Sequence, residues 1–118
     1  SITSQMAAAE ALHSGKKSVE EMKREYKRRR EFIVEGLNRL GLVCAKPQGA
    51  FYIFACVRKT GLSGMEFAKK LLEKEKVAVV PGTAFGSEYG DYIRISYASS
   101  YEDLKEALGR IEKFLKGR

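Results

Sequence analysis

No apolar run in the 118 residues approaches the ~20 that a helix needs to cross a bilayer, which excludes a helical membrane span. The first residues lack the basic stretch followed by an apolar block that marks a secretory leader, so the expected location is cytoplasmic. Histidine occurs once, as His13, with no ligand types beside it. No metal site is expected, and at the last turn of a helix His13 suits the negative end of the helix dipole. The two cysteines, Cys44 and Cys56, fall in predicted strands without metal-ligand spacing; a buried reduced pair is expected, and sequence alone leaves a disulfide open. Asparagine and glutamine together number three, against 22 Lys and Arg and 15 Asp and Glu, a thermophile-like balance. Internal repeats and low-complexity tracts are absent. So is a starting methionine: the chain opens at Ser1 on the approach to a helix, which leads us to expect a fragment or a processed product.

What is present suffices for one compact domain. Hydrophobic residues make up 44% of the chain, which favours a folded core over disorder. Much of the net charge of +7 comes from residues 16–39, where nine basic residues meet five acidic ones. The run Lys27-Arg28-Arg29-Arg30 would suit a nucleic-acid patch. Glu20, Glu21, Glu25, Glu31 and Glu35 are interspersed on the same helix, however, giving pairs such as Glu20 with Arg24 and Glu25 with Arg29. No stacking aromatics are interleaved with the basic run. Neither nucleic acid nor membrane is expected as a partner.

Residues 5–13 predict a short alanine-rich helix, with Ala7, Ala8, Ala9 and Ala11 offering a smooth surface and Gly15 closing it. Ser18 and Glu21 form a capping-box pattern that opens a long helix, with Val19, Met22, Tyr26, Ile33, Leu37 and Leu40 in one stripe and Gly41 at its end. At about 22 residues, or ~33 Å, it is longer than so small a domain needs to cover one sheet, as expected of a helix that bridges to something else. Residues 42–45 and 51–57 predict two strands joined by the turn Lys46-Pro47-Gln48-Gly49-Ala50. Ser63 and Glu66 cap a short helix with Phe67, Ala68, Leu71 and Leu72 inward. The apolar run 77–80 predicts a buried strand, followed by a glycine-bearing loop at 81–91. Residues 100–115 predict an amphipathic helix capped by Ser100, with Leu104, Ala107, Leu108, Ile111 and Leu115 inward. The sum is an α+β fold: a two-layer domain with about four strands in a mixed or antiparallel sheet, helices on one face, and a long helix before it.

One strand carries a chemical signal. In Asp91-Tyr92-Ile93-Arg94-Ile95-Ser96-Tyr97-Ala98, alternation places Ile93, Ile95 and Tyr97 on one face and Tyr92, Arg94 and Ser96 on the other. If the first set is core, the Arg94 guanidinium stands on the face the helices leave open. There it is either an ordinary solvated cation or a planar fork that can grip a carboxylate through two parallel hydrogen bonds.

Three segments then fall in order: Pro47-Gln48-Gly49-Ala50-Phe51-Tyr52-Ile53-Phe54, Val77-Ala78-Val79-Val80-Pro81-Gly82-Thr83-Ala84-Phe85-Gly86, and Tyr92-Ile93-Arg94-Ile95-Ser96-Tyr97-Ala98. With the helices between them, they resemble the C-terminal small domain of class I, fold-type I pyridoxal-phosphate-dependent aminotransferases, the aspartate and aromatic aminotransferase family. The likeness runs through essentially the whole chain. It implies transfer of an amino group between an amino acid and a 2-oxo acid with pyridoxal 5'-phosphate as cofactor. It implies that Arg94 holds the substrate α-carboxylate, that Phe51 borders the substrate side of the pocket, and that loop 81–86 lies near its mouth.

The resemblance also implies a division of the chain. Residues 1–15 would be a helix of a large domain, 16–41 the inter-domain connector and 42–118 the small domain. The Schiff-base lysine and the cofactor-binding residues of such enzymes lie in the large domain. No catalytic or cofactor-binding residue is therefore expected in this chain, which alone would be inactive. Its expected partners are the large catalytic domain of the same polypeptide and a second subunit in a homodimer. The Ala7–Ala11 surface and the open sheet face are expected to promote self-association. The alternative is a stand-alone α+β module that binds a small ligand or regulates, in which Arg94 binds an anion or pairs with Glu88 or Asp91.

Overall fold

The computed structural model describes residues 1–117. Helices α1 (Ile2–Ser14) and α2 (Lys16–Arg39) run almost as one. Gly15 between them is right-handed helical, at φ −73° and ψ −9°; its N–H donates to the Ala11 carbonyl at 2.9 Å and its own carbonyl accepts from the Val19 N–H at 3.0 Å. The expected stop at Gly15 does not form, because a glycine ends a helix by turning left-handed and this one does not turn. The same continuity removes the expected capping box at Ser18. That residue lies inside α2, whose first turn has no side-chain cap and whose Val19 N–H is already satisfied. The other end of α2 closes as expected: Gly41 adopts φ 83°, and the Leu42 N–H returns to the Leu37 carbonyl at 3.0 Å.

Strands β1 (Val43–Cys44), β2 (Tyr52–Cys56), β3 (Val80–Pro81) and β4 (Tyr92–Ser96) form one sheet in the order β1-β2-β4-β3, every pair antiparallel. Helices α3 (Gly64–Glu75) and α4 (Tyr101–Lys116) and the second half of α2 cover one face. Ile53, Ala55, Ile93, Ile95 and Tyr97 meet Ile33, Leu37, Phe67, Leu71, Leu104, Leu108 and Ile111 there. The two-layer α+β domain predicted from the element order is the one that forms. Its caps are also in place: Ser63 and Glu66 satisfy each other's backbone N–H groups at 3.2 and 2.9 Å, and the Ser100 hydroxyl accepts from Asp103 N–H at 3.1 Å.

Four burial expectations change. Val19 and Met22 of the α2 stripe are exposed, because the first half of the helix projects past the sheet in a molecule 52 × 28 × 24 Å across. On α4, Phe114 fills the core, edge-on to Phe67 at 5.3 Å, while Leu115 is only half-buried; on α3, Leu72 is exposed. The run 77–80 is not a buried strand. Only Val80 and Pro81 pair, Val77 and Val79 are half-buried and Ala78 is exposed. Position in the sheet explains the exposure: β3 is an edge strand with β4 as its single neighbour, so no described strand covers its other side.

Candidate functional site

Because β4 alternates as predicted, Ile93 and Ile95 are buried and Arg94 points from the other face of the sheet. Its register partners are Phe54 on β2 and Val80 on β3, so Arg94 occupies the middle of three adjacent strands. The same alternation brings Tyr52, Phe54 and Cys56 of β2 and Tyr92 of β4 to this face.

The guanidinium is flanked by rings. Its central carbon lies 4.3 Å from the Tyr52 ring centroid and 4.5 Å from that of Phe85, which follows the 3-10 turn Gly82–Ala84. Phe54 meets Phe85 at 5.4 Å, Tyr89 at 5.5 Å and Tyr92 at 6.1 Å, all tilted or edge-on, so the rings support one another. Among the described residues Arg94 makes no ion pair and no hydrogen bond. The pairings with Glu88 or Asp91 considered from sequence do not form. Asp91 is held instead by Arg58, at 2.8 Å. A half-buried cation with unspent donors on an aromatic floor can receive a carboxylate from outside the chain.

Phe51 joins this site indirectly. Its ring packs on Tyr52 at 4.6 Å and stacks with Tyr26 of α2 at 6.0 Å, so it touches the ring that touches Arg94. Tyr52 and Phe85 are the residues that the sequence reasoning missed. For Tyr52 a signal was available: in 51–57, the residues alternating with the core positions Ile53, Ala55 and Val57 are Tyr52, Phe54 and Cys56. Arg94 lines neither the hollow of about 330 Å³ between α4 and residues 76–79 nor that of about 470 Å³ between α2 and residues 48–50.

The other candidates are engaged in the fold. Arg29 reaches Glu25 at 2.7 Å and the carbonyls of Ala98 and Ser99 at 3.1 and 2.7 Å; Arg30 donates to Pro47 at 2.9 Å; and Arg28 lies over the Tyr101 ring at 4.2 Å. The expected Glu25–Arg29 pair forms, whereas Glu20 pairs with Lys23 rather than Arg24. Cys44 and Cys56 are free thiols; Cys44 is buried, its thiol pKa pushed up by burial, while Cys56 is only half-buried. No group of His, Cys, Asp or Glu among the described residues could hold a metal ion, and no described helix is long and apolar enough to cross a membrane.

Comparison with known proteins gives a consistent picture. The profile of the family described as aminotransferase class I and II matches residues 1–111. An aromatic-amino-acid aminotransferase of Thermococcus litoralis and an aspartate aminotransferase of Pyrococcus abyssi are each 52% identical over 114 residues, covering 95% of this chain and 29% of their own length. The solved structure of an aromatic aminotransferase from Pyrococcus horikoshii superimposes with a TM-score of 0.91 at 51% identity, over 97% of this chain and 31% of that one. The chain thus spans less than a third of the relatives it matches.

Proposed function

The chain belongs to the class I and II aminotransferases, and from that membership we propose that it is the part of a transaminase that holds the α-carboxylate of an amino acid or 2-oxo acid through Arg94. The observation that carries this reading is the state of Arg94: centred on the open sheet face, flanked by Tyr52 and Phe85, with its hydrogen-bond donors unspent. A bidentate grip on the carboxylate common to donor and acceptor would orient both substrates alike. Phe51 would border the substrate through Tyr52, and the loop from Pro81 would form part of the mouth.

Pyridoxal 5'-phosphate would supply the electron sink for the chemistry. The described residues of this chain do not fit that group by themselves. None of the strands bearing the Arg94 face carries a lysine, and Lys23, Lys46, Lys113 and Lys116 sit at the surface paired with glutamates. The cofactor and its lysine would belong to a large domain of the same polypeptide. Residues 1–15 would pack on that domain and residues 16–41 would connect to it. The exposed α1, which buries none of its residues, and the unsupported first half of α2 favour such a neighbour. A homodimer in the cytoplasm and inactivity of this piece alone complete the reading.

The test is transaminase assay of the complete enzyme that carries this chain, with and without Arg94→Lys. Lysine keeps the charge and loses the fork. A large fall in kcat/KM for an α-amino acid is expected; near-normal activity of the variant would remove Arg94 from this role.

A further inference from the structure

We propose that Tyr52 and Phe85 are positioning residues, whose rings fix the Arg94 guanidinium so that its N–H fork faces outward to the substrate carboxylate. The proposal rests on the reading of Arg94 as the carboxylate holder and goes on to say how that arginine is held.

A free arginine side chain samples many rotamers, and a fork is useful only when its plane is set beforehand. The common device is a neighbouring carboxylate, but an anion bonded to the guanidinium takes up part of its N–H donors and offsets the charge that the substrate is to meet. No such anion is bonded to it among the described residues; the nearest in sequence, Asp91, is committed to Arg58. Ring faces solve the problem differently. A cation–π contact uses the flat face of the guanidinium and leaves its edge donors free.

The two rings come from separate elements, Tyr52 from β2 and Phe85 from the loop after β3, so they restrain the guanidinium from two sides of β4. Each is itself braced, Tyr52 by Phe51 at 4.6 Å and Phe85 by Phe54 at 5.4 Å. Neither belongs to the core: Tyr52 is 37% and Phe85 43% exposed, so removing either ring leaves the packing of the helical face intact. Two partly exposed aromatics are thereby assigned a purpose that packing does not give them.

The experiment is a double-mutant cycle on kcat/KM in the complete transaminase carrying this chain. Tyr52→Leu and Phe85→Leu should each raise KM for the α-amino acid and lower kcat/KM by roughly 3- to 30-fold. Tyr52→Phe, which keeps the ring, should stay within about twofold of the parent. In an Arg94→Ala background, Tyr52→Leu should cost nothing further, because there is no guanidinium left to hold. An equal loss in both backgrounds, or a Tyr52→Phe loss matching that of Tyr52→Leu, would overturn the positioning role while leaving Arg94 as the carboxylate holder. If Arg94→Ala itself leaves kcat/KM unchanged, the carboxylate reading fails and the positioning role falls with it.

Discussion

The Tyr97 hydroxyl donates a 2.9 Å hydrogen bond to the carbonyl of Ala50, 47 residues earlier and held at φ 57°. Tyr97 N–H also donates to the adjacent Phe51 carbonyl at 2.8 Å, so one buried residue at the end of β4 grips the turn before β2 twice. A left-handed alanine is a strained conformation that persists only when its surroundings enforce it. Tyr97→Phe keeps the packing and removes the hydroxyl. It should cost about 1 kcal/mol in urea unfolding, and a change below about 0.3 kcal/mol would mean that the bond contributes nothing net.

Gly64 opens α3 with its N–H on the Gly90 carbonyl at 2.7 Å, and a Cβ there would collide with the Tyr92 carbonyl. The obstacle is backbone and cannot rotate away. Gly64→Ala should therefore destabilise by roughly 1–3 kcal/mol. Gly49→Ala, where a Cβ meets nothing within 4 Å, is the control and should stay within about 0.5 kcal/mol. Equal midpoints for the two variants would contradict the close approach of α3 to β4.

The Glu66 carboxyl is held below its usual pKa, first by the Ser63 backbone N–H and then by the Ser63 hydroxyl. A lowered folded pKa gives stability that is present above the unfolded value and lost as pH falls through the folded one. Glu66→Gln can keep the reciprocal cap but cannot titrate. The parent should thus be more stable than the variant at neutral pH and lose that advantage in acid, below about pH 4. A difference in Tm between the two that does not vary from pH 7 to pH 3 would contradict this account.

Cys44 faces the core opposite Ala55, while Cys56, opposite Val43, faces the other side of the sheet, so the two thiols cannot cross-link within the folded chain. Burial raises the Cys44 pKa, against a smaller lowering by its hydrogen bond to Asn38. Cys56 should react with a thiol reagent at pH 8 at least about tenfold faster than Cys44. Equal rates would mean that the α2–β1 packing opens readily.

Much of the α+β order was legible because periodicity reports which face of an element is buried. Ile93, Ile95 and Tyr97 alternate and are core; Ile33 and Leu37 lie one helical turn apart and are core. Termination was less legible. Gly15 and Ser18 carry a stop and a start pattern, but neither compels a break while every neighbouring residue tolerates helix, and α1 runs on into α2. The run 77–80 reads as buried because apolar content does not distinguish a central strand from an edge. At the candidate site, Arg94 was visible as a cation among β-formers. Tyr52 could be read from the alternation of β2, but Phe85 could not, because it reaches Arg94 only through the path of a loop.

The most direct test of the central claim compares two amine donors in the complete enzyme, an α-amino acid and the same amine without its carboxylate, with and without Arg94→Ala. If Arg94 holds the carboxylate, the substitution should lower kcat/KM for the amino acid by at least about thirtyfold and leave the decarboxylated amine nearly unchanged, collapsing the discrimination between them. If both donors fall together, or neither changes, Arg94 does not hold the carboxylate.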